Sequence, residues 1–279
     1  MAGPGLHCRV AAAFATCLIV ACSSPEERVA NHIERARELA AAGTDDAAIL
    51  EYRSALKIDA DQAAANEEIG ELLLGQGDLS GTFYLSEALR LQPERIDLAM
   101  RLARVLLITS QIDEAAIVIE AAKAAHPDAG VVYGAESEML LYRNDAEAAL
   151  VAAKKAVELD PEDSELRMQL GRAFQGRMRT DEITRQPVDR ELRRAAIEAF
   201  EKADELAGGS VRARVERARM IGQRVQSQEA AERAFTEAVE LAVEQDRPEL
   251  RYLAASAAES FAIKSGRHAF RIWALREMI

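Results

Sequence analysis

No cysteine follows Cys22. All three cysteines of the 279-residue chain (Cys8, Cys17 and Cys22) lie in its first 22 positions. The rest therefore holds neither a disulfide framework nor a thiolate metal site. Histidine is nearly as scarce: His7, His32, His126 and His268 are scattered, no two share a helical turn, and no HExxH pattern occurs. GxSxG, P-loop and GxGxxG patterns are missing as well, so the usual nucleophile elbow and phosphate cradles are excluded, and the chain reads as a non-enzyme without cofactor or metal. Aromatic residues make up 5% and β-branched runs are few, which excludes a sheet-based fold. The net charge of −12 argues against nucleic acid as a partner, because that needs clustered cations that displace counterions. No apolar run reaches the roughly 20 residues of a membrane-spanning helix.

What is present favours helix. Hydrophobic residues are 49% of the chain, with alanine, leucine, glutamate and arginine prominent, and these lose little on entering a helix. Acidic pairs such as Asp45-Asp46 and Glu67-Glu68 read as solvated helix faces, not as acid/base pairs.

The N-terminus stands apart. Val10 to Ala21 is apolar except for Thr16, follows Arg9, and has the length of a signal-peptide core. Its end, Ile19-Val20-Ala21-Cys22, resembles a bacterial lipobox. The resemblance implies that residues 1–21 are a lipoprotein signal peptide, that cleavage precedes Cys22, and that Cys22 carries a covalent diacylglycerol. The neutral Ser23 implies sorting to the periplasmic side of the outer membrane in a diderm bacterium. Residues 22–28 then form a lipidated tether, and Pro25-Glu26-Glu27 suits the first turn of a helix.

The remainder repeats. Pro93, Pro127 and Pro161 are spaced 34 apart. Ahead of them lie helical segments with two small residues seven apart: Ala48 and Ala55 around Tyr52, Ala115 and Ala122 around Ile119, Ala149 and Ala156 around Ala153. Ala196 and Ala203 around Phe200, and Ala231 and Ala238 around Phe235, continue the series. A second helical segment precedes each, with a large–small pair: Ile69-Gly70, Leu102-Ala103 and Leu170-Gly171, and off-pattern Arg35-Ala36 and Glu136-Ser137, whose helices are expected to pack less well. Gly43, Gly77 and Asn144 fall between the two helices, where a left-handed residue ends the first.

A two-helix period of 34 resembles the tetratricopeptide repeat (TPR). The resemblance implies an all-α solenoid of antiparallel helix pairs in a right-handed superhelix over residues 29–279. The register gives repeats at 29–62, 63–95, 96–129, 130–163, 164–210 and 211–246, with a partial seventh at 247–279. The second is one residue short near Ser80-Gly81. The fifth carries an insertion at 179–191, expected as a loop. The apolar-rich end, "RHAFRIWALREMI", is expected to fold back on the helix at 249–264.

In this family the first helix of each pair, helix A, lines the concave face. One helix-A column reads Arg37, Glu71, Arg104, Glu138, Arg172, Arg219, alternating in sign over five repeats. The alternation predicts a ladder of pairs between neighbouring repeats, with Arg172 and Arg219 left adjoining as a candidate anion site. A second column, Ala40, Leu74, Leu107, Leu141 and Gln175, with Met100 and Met168 nearby, offers an apolar stripe for a peptide. The resemblance extends to the TPR-repeat lipoproteins of exosortase and exopolysaccharide export systems. It implies a membrane-anchored scaffold that binds an unknown protein or peptide through the concave face. A dedicated assembly or secretion factor of an envelope machine (exopolysaccharide export, pilus or outer-membrane-protein assembly) and a regulator of a cell-wall enzyme stand as alternatives.

Overall fold

The structure is a computed structural model and describes residues 24–183, 190–223 and 225–279. The signal-peptide and lipidation readings, Cys22 included, fall outside the described residues. The chain forms seven helix pairs: α1 (Pro25–Ala41) with α2 (Asp45–Ile58), α3 (Ala63–Gly75) with α4 (Gly81–Leu91), and α5 (Ile96–Ile108) with α6 (Ile112–Ala125). Then come α7 (Gly130–Tyr142) with α8 (Ala146–Leu159), α9 (Ser164–Ile183) with α10 (Arg190–Leu206), α11 (Val211–Gly222) with α12 (Gln228–Glu244), and α13 (Pro248–Ser265) with α14 (His268–Glu277). No strand occurs among the described residues.

The two sequence signatures become the crossings inside each pair. Ala48, Tyr52 and Ala55 are buried, as are their counterparts Ala115, Ile119 and Ala122, and Ala231, Phe235 and Ala238. Two of the crossings show how close the helices come. A Cβ on Gly70 of α3 would sit 2.9 Å from Leu85 Cδ2 of α4, and one on Gly171 of α9 would collide with the Phe200 ring of α10. Without those glycines the two backbones could not close to this distance. The short second repeat is accommodated at the same place. Helix α4 has 11 residues against 14 in α2, α6 and α8, and its first residue, Gly81, packs directly on Gly70 and Leu74 of α3.

The turns inside the first four pairs share one device. Gly43, Gly77, Ser110 and Asn144 occupy equivalent positions with φ of 71°, 78°, 62° and 59°. Ser110 had no sequence signature, since serine gives no sign of adopting this conformation. Between pairs a second device recurs. Asn66 Nδ2 donates to the Ala60 carbonyl, Tyr133 Oη to that of Pro127, and Arg167 Nη2 to that of Pro161, each reaching six residues back to tie the turn to the next helix.

Four expectations are revised. Helix α1 starts at Pro25, so residues 25–28 belong to it and not to a tether. Ser24 caps it, accepting from Glu27 N (3.2 Å) while Glu27 accepts from Ser24 N (3.1 Å). The insertion is not a loop throughout: α9 runs on to Ile183 and α10 begins at Arg190, leaving 184–189 outside the described residues. Buried Met178 carries the core stripe of Phe174 past the 13-residue length of α3, α5 and α7. The off-pattern helices α1 and α7 pack as closely as the others. Arg35 points out to Glu51 at 3.4 Å, and Glu136 is neutralised by Lys123 at 2.6 Å, whose own pKa that bond raises. The segment expected as a partial seventh repeat is a complete pair. Helix α14 folds back on α13, with Phe270 edge-on to Phe261 and stacked on Trp273 at 4.9 Å.

Candidate functional site

The predicted charge column does form contacts, but along a diagonal. Arg37 of α1 does not reach Glu71. Its guanidinium takes Glu68, with Nη2–Oε1 at 2.6 Å. Glu71 in turn pairs with Arg101 at 2.6 Å and not with Arg104. Each residue therefore meets the one 31 or 30 positions ahead, one helical turn before its expected partner. Successive A helices cross at an angle, with the ridges of one seated in the grooves of the next, and that shifts the partner by a turn.

The diagonal has its own sequence: Glu68, Arg101, Ala135, Gln169 and, past the insertion, Glu216. The third and fourth places are uncharged. Arg104 faces the Ala135 place and Glu138 the Gln169 place, so the ladder breaks twice in succession. Among the described residues neither the Arg104 nor the Glu138 side chain has a hydrogen bond or ion pair.

At the break a cavity of about 310 Å³ opens between α5, α7 and α9. Met100, Arg104 and Leu107 of α5 and Glu138 of α7 border it, four of the residues expected on the groove. Ile96, Val131 and Leu166 complete its apolar floor. Gln169 of α9 lines it with only 7% of its surface exposed, and Gln169 Oε1 has no hydrogen-bond partner. That oxygen lies against Gly134, where any Cβ would collide with it. Gln169 was missed in the sequence because glutamine reads as a surface residue. The available signal was its place in register with Glu68 and Arg101.

Below this break the expected anion site is not formed. Glu216 of α11 is the acidic neighbour the column reading lacked: its carboxylate accepts from Arg219 Nη1 at 2.6 Å and from Gln175 Nε2 at 3.0 Å. Arg172 leans towards Glu165, 3.9 Å away. Arg172, Gln175 and Leu141 share a separate, more polar hollow of about 340 Å³ with Gln223, and Arg219 is not part of it. The apolar stripe is also divided. Leu107 is buried (1%) though it reaches the cavity, and Met168 is buried (5%) in the core with Phe174 and Phe200, on the other side of α9 from the groove. Leu74 is spent covering Gly81. Arg37 borders a wider hollow of about 830 Å³ at the first repeat, against Val29, Ile33 and Ile58.

Charges near the cavity's upper rim are already matched. Burial alone would push the Glu67 carboxyl up, but Arg95 and Arg101 together outweigh it and hold it below the usual range. The Arg95 guanidinium likewise depresses Asp97 to about 2. Asp163 and Glu165 line the α9 side: the Asp163 carboxylate accepts from the Glu165 and Leu166 backbone N–H groups, and Glu165 faces Arg172 at 3.9 Å, so Arg104 and Glu138 are the lining charges without a side-chain partner.

Comparison with solved structures gives the same architecture. MamA from Desulfovibrio magneticus RS-1 (residues 41 to the end) is similar at 21% identity, over 65% of this chain and 96% of that one, with a TM-score of 0.51. The human IFIT1 dimer with PPP-AAAA is similar at 18% identity, over 92% of this chain and 63% of that one, with a TM-score of 0.58. Yeast Tom70 is similar at 22%, over 86% and 48%, with a TM-score of 0.55. The fold is a TPR α-solenoid. This chain thus spans nearly all of the MamA segment, but about half of Tom70. No family model matches the chain, and no curated relative is found by sequence. Among the described residues no helix is long and apolar enough to cross a membrane, and no three histidine, aspartate or glutamate side chains gather as metal ligands.

Proposed function

We propose that the chain is a membrane-anchored scaffold that holds a protein partner along the inner face of its A helices, in the envelope of a diderm bacterium. The observation that carries the binding half is the cavity between α5, α7 and α9, with two unpaired opposite charges over an apolar floor. A surface built only for stability would have paired those charges, as the two preceding steps of the ladder do. A solenoid with no catalytic constellation acts by holding other chains.

Anchoring through a diacylglycerol on Cys22, on the periplasmic side of the outer membrane, is supported by the lipobox-like Ile19-Val20-Ala21-Cys22. Because Ser24 already caps α1, Cys22 stands two residues before that cap. The reach is about 7 Å at full extension, so the first repeat would sit against the bilayer surface. The two halves are tested separately. For the anchor, Cys22→Ser should remove the protein from the outer-membrane fraction; a variant that still pellets with the outer membrane would overturn it. For the scaffold, a photo-crosslinking residue at Leu141 should trap a discrete partner in cells. Traps at the exposed outer residue Ile117 should not give the same product.

A further inference from the structure

We propose that the break in the charge ladder is a sequence-reading peptide site. It takes an extended segment that carries an acidic and a basic residue three positions apart, with an aliphatic residue between them. This rests on the scaffold reading and names the ligand class of the same face.

In the first two repeats each inner charge is consumed by the next helix: Arg37 by Glu68, Glu71 by Arg101. At the next two steps the partner is replaced by Ala135 and Gln169, which leaves one cation on α5 and one anion on α7. Unpaired charges of opposite sign on adjacent helices match a ligand that is itself dipolar. A run of one sign would satisfy one of them and repel the other. Neighbouring helices lie about 8–10 Å apart, and an extended chain rises about 3.3 Å per residue, so three residues span the gap.

Between the charges the floor is aliphatic, and about 310 Å³ accommodates a Leu or Ile side chain with the backbone that bears it. Gln169 supplies the remaining feature. A buried carboxamide without a partner for its oxygen costs stability, and the adjacent Gly134 leaves the room that lets it persist. A carboxamide offers one acceptor and two donors, the complement of a peptide unit. Rotation about its last torsion, which is soft, turns it from Gly134 to the ligand backbone.

The test uses the full mature chain and four fluorescein-labelled ten-residue peptides with Gly-Ser flanks. Their centres are Glu-Ser-Leu-Lys, Glu-Ser-Ser-Lys, Lys-Ser-Leu-Lys and Glu-Ser-Leu-Glu. Anisotropy titration at low salt should give the tightest binding for the first. The second, lacking the aliphatic anchor, and the two single-sign peptides should each bind about tenfold more weakly. Arg104→Glu should exchange the preference to Lys-Ser-Leu-Lys, and Glu138→Arg to Glu-Ser-Leu-Glu. Both side chains are at the surface and unpaired, so the variants should keep the parent's circular dichroism, which serves as the folding control. Gln169→Leu should fold at least as stably and bind the first peptide more weakly. Equal binding of all four peptides, or no exchange of preference in the charge variants, overturns the proposal. Cellular crosslinking from Leu141 that persists unchanged in the Arg104→Glu, Glu138→Arg double variant would also overturn it, while leaving the scaffold reading intact.

Discussion

Arg37 and Glu68, on the A helices of the first two repeats, form a forked ion pair, with Nε and Nη2 both on the same carboxylate. The buried Tyr52 hydroxyl donates to that carboxylate from the intervening B helix. One acidic side chain thereby ties three helices together. Its burial and the bond to Glu68 raise the Tyr52 pKa well above that of a free phenol.

Removing Glu68 should therefore cost more than removing Arg37. Glu68→Ala leaves the Tyr52 hydroxyl without an acceptor, a loss of about 1–3 kcal/mol. Arg37 is more than half exposed, and Arg37→Ala should cost at most about 1 kcal/mol. Urea unfolding of the two variants checks the order.

Acid should weaken the joint between α3 and α5. Glu67 and Asp97 both have folded pKa values below their unfolded ones, Asp97 near 2. A carboxylate of this kind contributes stability above its unfolded pKa, and the contribution fades as pH falls through the folded pKa. The window runs from about pH 4.5 down to about pH 2. Melting temperature followed across it should drop, and the drop should be smaller in a Glu67→Gln, Asp97→Asn double variant.

Gly171→Ala should be severe for a single methyl. The new Cβ meets the Phe200 ring, which is itself fully buried and cannot swing aside. A cost of about 1–3 kcal/mol is expected from overpacking, measured by chemical denaturation. Gly75→Ala, in open space at the end of α3, should by contrast be neutral or mildly stabilising.

Ser110→Gly should stabilise. Ser110 holds φ at 62°, which costs an L-residue roughly 1–2 kcal/mol, part of which glycine's freer unfolded chain offsets. A net gain of about 0.5–1 kcal/mol is expected, seen as a higher denaturation midpoint.

Much of this molecule is periodic, and periodic features are legible in a sequence. Small residues seven apart, a large–small pair in the preceding segment and a left-handed residue between them are properties of one helix or one turn. They can be read without knowing what lies opposite, so Tyr52, Ile119, Phe200 and Phe235 could be placed at their crossings in advance. Features that depended on a single odd residue were not legible. Ser110 looks like any turn serine, and Gln169 looks like any solvent-facing glutamine.

The sequence alone determined the helices, their pairing and the period, because those follow from local propensity and from which residues are small enough to let backbones touch. It also laid down an alternating column of charge. Tertiary structure decided what that column does. How one A helix seats on the next is set by packing over the whole interface, and it moves the partners of Arg37 and Glu71 back by one turn. That displacement joins Arg37 to Glu68 and Glu71 to Arg101, and leaves the Arg104 and Glu138 side chains on a cavity without a partner.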